Sequence, residues 1–216
     1  MAIDDLLDEH EQGERVRTWL RENGAGVIGG VVLGLVLIAG WQWWQKQREQ
    51  QRLQAGEQFQ AMTDAVTAGK LKPAQELAAK LPQGTYATLA ALELAKAQVD
   101  AGQRDAAIAT LRGVQPKDPA LAAIVAPRLA QLLIDAGKPR DALALLAKDS
   151  SDVSTQQARG DALFALGQAG EARAAYAQAL AHADVGSPQR KVLELKLSQV
   201  GGVPAPTPVP APEAKS

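Results

Sequence analysis

"GDALFALGQAGEARAAYAQAL", residues 160 to 180, is the stretch whose reading decides the fold. Apolar side chains recur at helical steps on both sides of Gly167, so one helix precedes that glycine and another follows it. Glycine relieves the left-handed turn that ends the first helix. Ala172, five residues on, lets the second helix approach the first closely. Each such unit is therefore a helical hairpin.

The same glycine-alanine step occurs four times: Gly69 with Ala74, Gly102 with Ala107, Gly137 with Ala142, and Gly167 with Ala172. Successive glycines lie 33, 35 and 30 residues apart, around the roughly 34-residue period of tetratricopeptide repeats. In the last unit Gly160, Gly167, Ala172, Tyr176 and Ala179 fill the consensus positions of such a repeat. The first full unit spans residues 86 to 119 and is expected to end at Pro119. In the second, "APRLAQLLIDAGKPRDALALL", Pro127 is expected near a helix start and Ala130 replaces the small glycine. After the array, Ser187 and Pro188 form an N-cap and first-turn pair opening "PQRKVLELKLSQV", a helix suited to capping the exposed end. The tail from 201 to 216, "GGVPAPTPVPAPEAKS", alternates proline with small residues and is predicted extended and disordered.

Ahead of the array stands "GAGVIGGVVLGLVLIAGWQWW", residues 24 to 44. Gly24, Gly26 and Gly29 make a formal GxGxxG, with Glu49 at the distance of a ribose-binding acid. That motif needs a preceding strand, whereas "EHEQGERVRTWLREN" is charged and helix-like. From residue 23 to residue 45 the chain has 23 uncharged residues, and a bilayer core requires roughly 20 in a helix. The run is too long for a signal peptide and closes on Trp41, Trp43 and Trp44 rather than on a cleavage site. Trp19 and Trp41 stand about 33 Å apart along a helix, near the spacing of the two headgroup layers. The reading is a membrane span at 23 to 45, preceded by a charged segment at 1 to 22.

Arg15, Arg17 and Arg21 flank one end, Lys46, Arg48 and Arg52 the other. The tie leaves orientation open by charge. Gly26, Gly30 and Gly34 share one face and would let a second membrane helix approach, making them a candidate partner face. Beyond the span the helix is expected to continue as a stalk, with Phe59, Met62 and Val66 on one face, into a domain covering 46 to 200.

Composition agrees with an all-α chain. Of 216 residues 46% are hydrophobic but only 4% aromatic, and alanine favours closely packed helices. A net charge of −1 gives no basic stripe for nucleic acid. Without cysteine there is no disulfide, thiol nucleophile or thiolate metal site, and either redox compartment is permitted. His10 and His182 sit at opposite ends of the organisation, and the carboxylates fall on polar faces or in turns. The expectation is no enzyme, no metal and no cofactor. Aligned repeats place Lys96 and Asp100, Gln131 and Asp135, and Asp161 and Phe164 toward the concave groove, as candidate partner contacts.

Taken together, "EQGERVRTWLRENGAGVIGGVVLGLVLIAGWQWW", "GTYATLAALELAKAQVDAGQRDAAIATL" and "RGDALFALGQAGEARAAYAQAL" resemble the ancillary subunit family of the bacterial Sec translocon, over nearly everything except the tail. The resemblance implies a cytoplasmic N-terminus, one inner-membrane span and a periplasmic repeat domain. It implies as partners the Sec channel, a membrane-anchored periplasmic chaperone of the prolyl-isomerase-like class, and translocating chains. The expected function is a non-enzymatic tethered adaptor aiding handover or folding of translocated proteins. The alternative is a scaffold for another cell-envelope complex. The Pro-Ala tail departs from the family pattern, and the family supplies no catalytic residues.

Overall fold

The computed structural model describes residues 4 to 203. Over them the chain is all-helical, with no strand among the described residues. The proline-alanine tail from 204 onward, expected to be extended, lies outside the described residues, as does the side chain of His10. The chain divides into two compact units, Met1–Gln54 and Ala55–Ser216.

The first unit holds most of helix α1 (Asp4–Thr67). Within Arg21–Thr67 lies a window long and apolar enough to cross a membrane, and none of that window is buried. Val31, Leu33, Leu35 and Leu37 are all exposed. Apolar side chains facing outward all round a helix are the reverse of a soluble amphipathic pattern. At the end of the run the Trp41 and Trp44 rings lie 5.2 Å apart.

The second unit begins with the last turns of α1 and continues through α2 (Leu71–Lys80), α3 (Thr85–Asp100), α4 (Arg104–Arg112), α5 (Pro119–Asp135), α6 (Pro139–Ala144), α7 (Val153–Ala165), α8 (Ala169–His182) and α9 (Pro188–Gln199). Four hairpins, α1/α2, α3/α4, α5/α6 and α7/α8, are followed by the single helix α9. The expected period has a direct stereochemical origin. Gly69, Gly102, Gly137 and Gly167 take φ of 70°, 75°, 72° and 77°, a region costly for residues with a Cβ. The next residue's N–H reaches back five positions, as in Lys70 to Ala65 and Gln103 to Gln98, closing a Schellman turn. That same residue's carbonyl accepts the first bond of the following helix, and its donor is the paired alanine: Ala74 N–H to Lys70, Ala107 to Gln103, Ala142 to Lys138, Ala172 to Gln168. All four alanines are fully buried. The five-residue step thus measures one turn glycine plus one helical turn.

Gly201, at φ 76°, repeats the device at the end of α9, with Gly202 N–H bonded to Leu197. This fifth turn has no alanine five residues on and escaped the sequence pattern.

The core divides along the repeats. Ala55, Met62, Ala74 and Leu94 form one cluster. Leu111, Leu129, Leu133 and Leu146 belong to the largest. Leu163, Tyr176, Leu193 and Leu197 belong to the third, which joins α7, α8 and α9. Ser187 caps α9 as expected, accepting from the Arg190 N–H, and Pro188 stands in its first turn.

Two prolines differ from expectation. Pro119 opens α5 instead of closing the preceding unit, because Asp118 caps that helix by accepting from the Ala120 N–H. Pro127, expected near a helix start, therefore lies in the interior of α5 and is buried there. The stronger start signal is the Asp-Pro pair eight residues upstream.

Candidate functional site

Two cavities lie along α3 in the repeat unit. Between α3 and α5 lies a cavity of about 240 Å³, floored by Leu92, Val99 and Leu132 and edged by Lys96, Asp100, Arg128 and Gln131. A neighbouring cavity of about 500 Å³ is lined by Val66, Thr67 and Gly69 on one side and by Glu93, Lys96 and Asp100 of α3 on the other. Lys96 and Asp100 line both. An apolar floor with a polar rim suits side chains of a peptide or helix better than a small charged metabolite.

The sequence-derived candidates divide into two kinds. Lys96 and Asp100 pair at 3.5 Å on the surface. One repeat on, the Gln131 amide donates to Asp135 at 3.0 Å. Both are one-turn pairs on exposed faces, and Gln131 joins the Lys96 cavity.

Asp161 behaves differently. Its carboxylate accepts from the Tyr176 hydroxyl at 2.7 Å and from the Lys196 ammonium at 2.6 and 2.7 Å. Its side chain is only 11% exposed, so it is committed to joining α7, α8 and α9. Burial, then the hydrogen bond to Asp161, then the Asp161 charge push the Tyr176 hydroxyl pKa well above its ordinary value.

Phe164 is exposed, but its register is not that of Asp100 and Asp135. Adding the glycine spacings of 33, 35 and 30 takes Val66 to Val99, Ile134 and Phe164. An apolar row therefore crosses all four first helices. The same arithmetic takes Asp100 and Asp135 to Ala165, so the acidic row stops before the last hairpin.

Sequence reasoning missed Arg128, Val99 and Leu132 on the cavity between α3 and α5 and Glu93 on its neighbour. Arg128 was findable, since it stands 35 residues after Glu93 and one turn before Gln131. Thr63 donates to Glu93 at 3.0 Å, linking the first helices of two hairpins.

In the other unit, Gly26, Gly30 and Gly34 have no heavy atom within 4 Å of where a Cβ would stand. Among the described residues no group of three or more histidine, aspartate or glutamate side chains is placed to hold a metal.

A tetratricopeptide repeat-like domain model matches residues 17 to 202. The chain is 29% identical over 200 residues to the ancillary SecYEG translocon subunit of Escherichia coli strain K12, covering 89% of this chain and 97% of that one. It is 28% identical over 145 residues to the protein of the same name from Haemophilus influenzae, covering 65% of this chain and 71% of that one. Among solved structures it is similar to nearly identical TPR-like repeats from Podosopora anserina, at TM-score 0.48 and 20% identity over 69% of this chain and 85% of that one.

Proposed function

This chain belongs to the tetratricopeptide repeat-like domain family, and from that premise we propose that it is a membrane-anchored, non-enzymatic adaptor of the Sec translocon. One observation carries the reading: the likeness to ancillary SecYEG translocon subunits extends over nearly the whole of the Escherichia coli protein, so anchor and repeats correspond together. The apolar window of α1 crosses the inner membrane once, with the N-terminus cytoplasmic and the repeats periplasmic. The family resemblance supplies this orientation, because the flanking charges are balanced. Gly26, Gly30 and Gly34 offer the channel or a chaperone anchor a face on which backbones can approach. The groove around Lys96, Asp100, Arg128 and Gln131 receives a periplasmic chaperone of the prolyl-isomerase-like class or an emerging chain.

Tethering explains why shallow cavities suffice. Confinement beside a channel raises the effective concentration of a partner to about the millimolar range, so weak contacts are occupied without tight affinity. Exposed one-turn pairs such as Lys96 with Asp100 can exchange partners at little cost in stability.

The test is photo-crosslinking in cells from position 33, which flanks the glycine face and is exposed, and from position 96, each carrying a photoreactive residue. Adducts of position 33 with the channel or a chaperone anchor, and of position 96 with the chaperone or a nascent chain, are expected. Adducts solely with another envelope complex would reject the translocon in favour of a different scaffold. Gly30→Leu should reduce co-purification of the membrane partner in mild detergent.

A further inference from the structure

We infer that Trp41, Trp44, Arg48 and Arg52 form a binding stripe for the phosphate of an anionic phospholipid headgroup. This rests on the membrane span proposed above. Steps of three, four and four residues keep these four side chains within about 80° of one another around α1. Lys46 falls on the other side of the helix, and Glu49 lies at the edge of the stripe, about 60° from Arg52.

The geometry places a cation at a defined depth. The Arg48 guanidinium carbon lies 3.8 Å from the centroid of the Trp44 ring, within cation-π range. Trp41, tilted against Trp44 at 5.2 Å, supports that ring from the side facing the span. Indoles favour the headgroup layer, so Arg48 is held at the level of lipid phosphates. Held over the Trp44 ring, the guanidinium has N–H groups left to meet two phosphate oxygens. Arg52 adds a second cation one turn further on. Among the described residues neither arginine takes part in an ion pair.

The balanced charge count is the independent observation. Cations are usually biased to one flank of a span, yet three stand on each side here. Those after the span require a role other than setting orientation, and an anionic headgroup supplies one. Each cation near an anionic surface contributes about fivefold in affinity at moderate salt, so two arginines give about twenty-five-fold. A zwitterionic headgroup gains less, because its own ammonium neutralises the phosphate.

The experiment uses the full chain carrying Trp19→Phe, so that fluorescence reports Trp41, Trp43 and Trp44. It is reconstituted into phosphatidylcholine vesicles containing either brominated phosphatidylglycerol or brominated phosphatidylcholine, labelled at shallow acyl carbons. Half-maximal quenching is expected at about tenfold less brominated phosphatidylglycerol than brominated phosphatidylcholine. Arg48→Gln with Arg52→Gln should make the two lipids equal, and Lys46→Gln should leave the preference intact. Equal quenching in the parent, or loss of preference in Lys46→Gln as complete as in the double variant, would overturn the site while leaving the span standing. Absence of quenching by either lipid would overturn the span and the site together.

Discussion

Hairpins α5/α6 and α7/α8 solve one packing problem with opposite volumes. Seven residues before the turn glycine stands Ala130 in one and Gly160 in the other, and nine residues after it stand Leu146 and Tyr176. The Leu146 partner leaves room for a methyl group at 130, whereas a Cβ on Gly160 would overlap the Tyr176 ring. The first hairpin reverses the order, with buried Met62 before the glycine and Ala78 after it. The summed volume matters at this pair of positions, and the residue type follows from its partner. Tyr176 also brings a hydroxyl, which is satisfied by Asp161 and thereby by Lys196 of the cap. The larger side chain thus joins the last hairpin to α9, as no leucine could.

Truncation of the large partner should separate the two hairpins most. Tyr176→Ala opens a ring-sized cavity and removes a donor from Asp161, a loss of about 3–5 kcal/mol. Leu146→Ala, beside the short helix α6 where the chain can close in, should fall at the lower end of about 2–5 kcal/mol. Urea midpoints of the full chain in detergent measure both. Equal losses would mean that the tyrosine contributes volume alone.

Exchange of the small partner comes next. Gly160→Ala should cost about 1–3 kcal/mol by overpacking, and adding Tyr176→Leu should recover part of it by recreating the pattern of the preceding hairpin. The recovery is the coupling that a double-mutant cycle isolates. Ala130→Gly should cost about 1 kcal/mol through helix propensity plus the volume lost, and adding Leu146→Phe should recover only the packing share. Strictly additive effects at 160 and 176 would break the comparison.

How much of this was legible depended on whether a position demands one residue type. Positive φ demands glycine and a close helix crossing demands alanine, so Gly69, Gly102, Gly137, Gly167 and their alanines gave the hairpins from sequence. The apolar run of α1 was equally plain. Asp161, expected toward the groove, is bonded to Lys196, 35 residues away on another helix, a pairing no local pattern signals. A carboxylate on a polar face looks the same whether its partner is water or a distant ammonium. Phe164 was placed one residue out of register because adjacent residues on a short helix both fit a coarse alignment. Arg128 shares a repeat register with Glu93, but the two differ in charge, so the register shows only when the repeats are aligned position by position.

The cap junction gives a smaller effect. Lys196→Met removes an ammonium that is 28% exposed from a carboxylate that is 11% exposed, and should cost about 1–2 kcal/mol. Hydrogen exchange should rise first in α9, ahead of α3 and α5. Alkali adds a check. The folded-state pKa of Tyr176 is raised above the ordinary tyrosine value of 10.0, so its contribution is complete below about pH 10 and is lost as pH climbs through the folded value. Tyr176→Phe should flatten that part of the alkaline decline.

The smallest stability effect should mark the binding surface. Lys96 occupies in its hairpin the register that Asp161 occupies two hairpins later, 65 residues on, yet its partner is exposed Asp100 and its own side chain is 77% exposed. An exposed one-turn ion pair is worth a few tenths of a kcal/mol, so Lys96→Ala should leave the urea midpoint within about 0.5 kcal/mol of the parent. The same substitution should lower chaperone or nascent-chain capture by a photoreactive residue at position 131 on the same rim, because Lys96 edges both cavities. Asp161→Asn should do the opposite, weakening the cap while leaving capture at position 96 unchanged. If Lys96→Ala destabilises the fold as much as Lys196→Met and leaves capture intact, the two register-equivalent residues share a structural role, and the groove between α3 and α5 is not where partners are held.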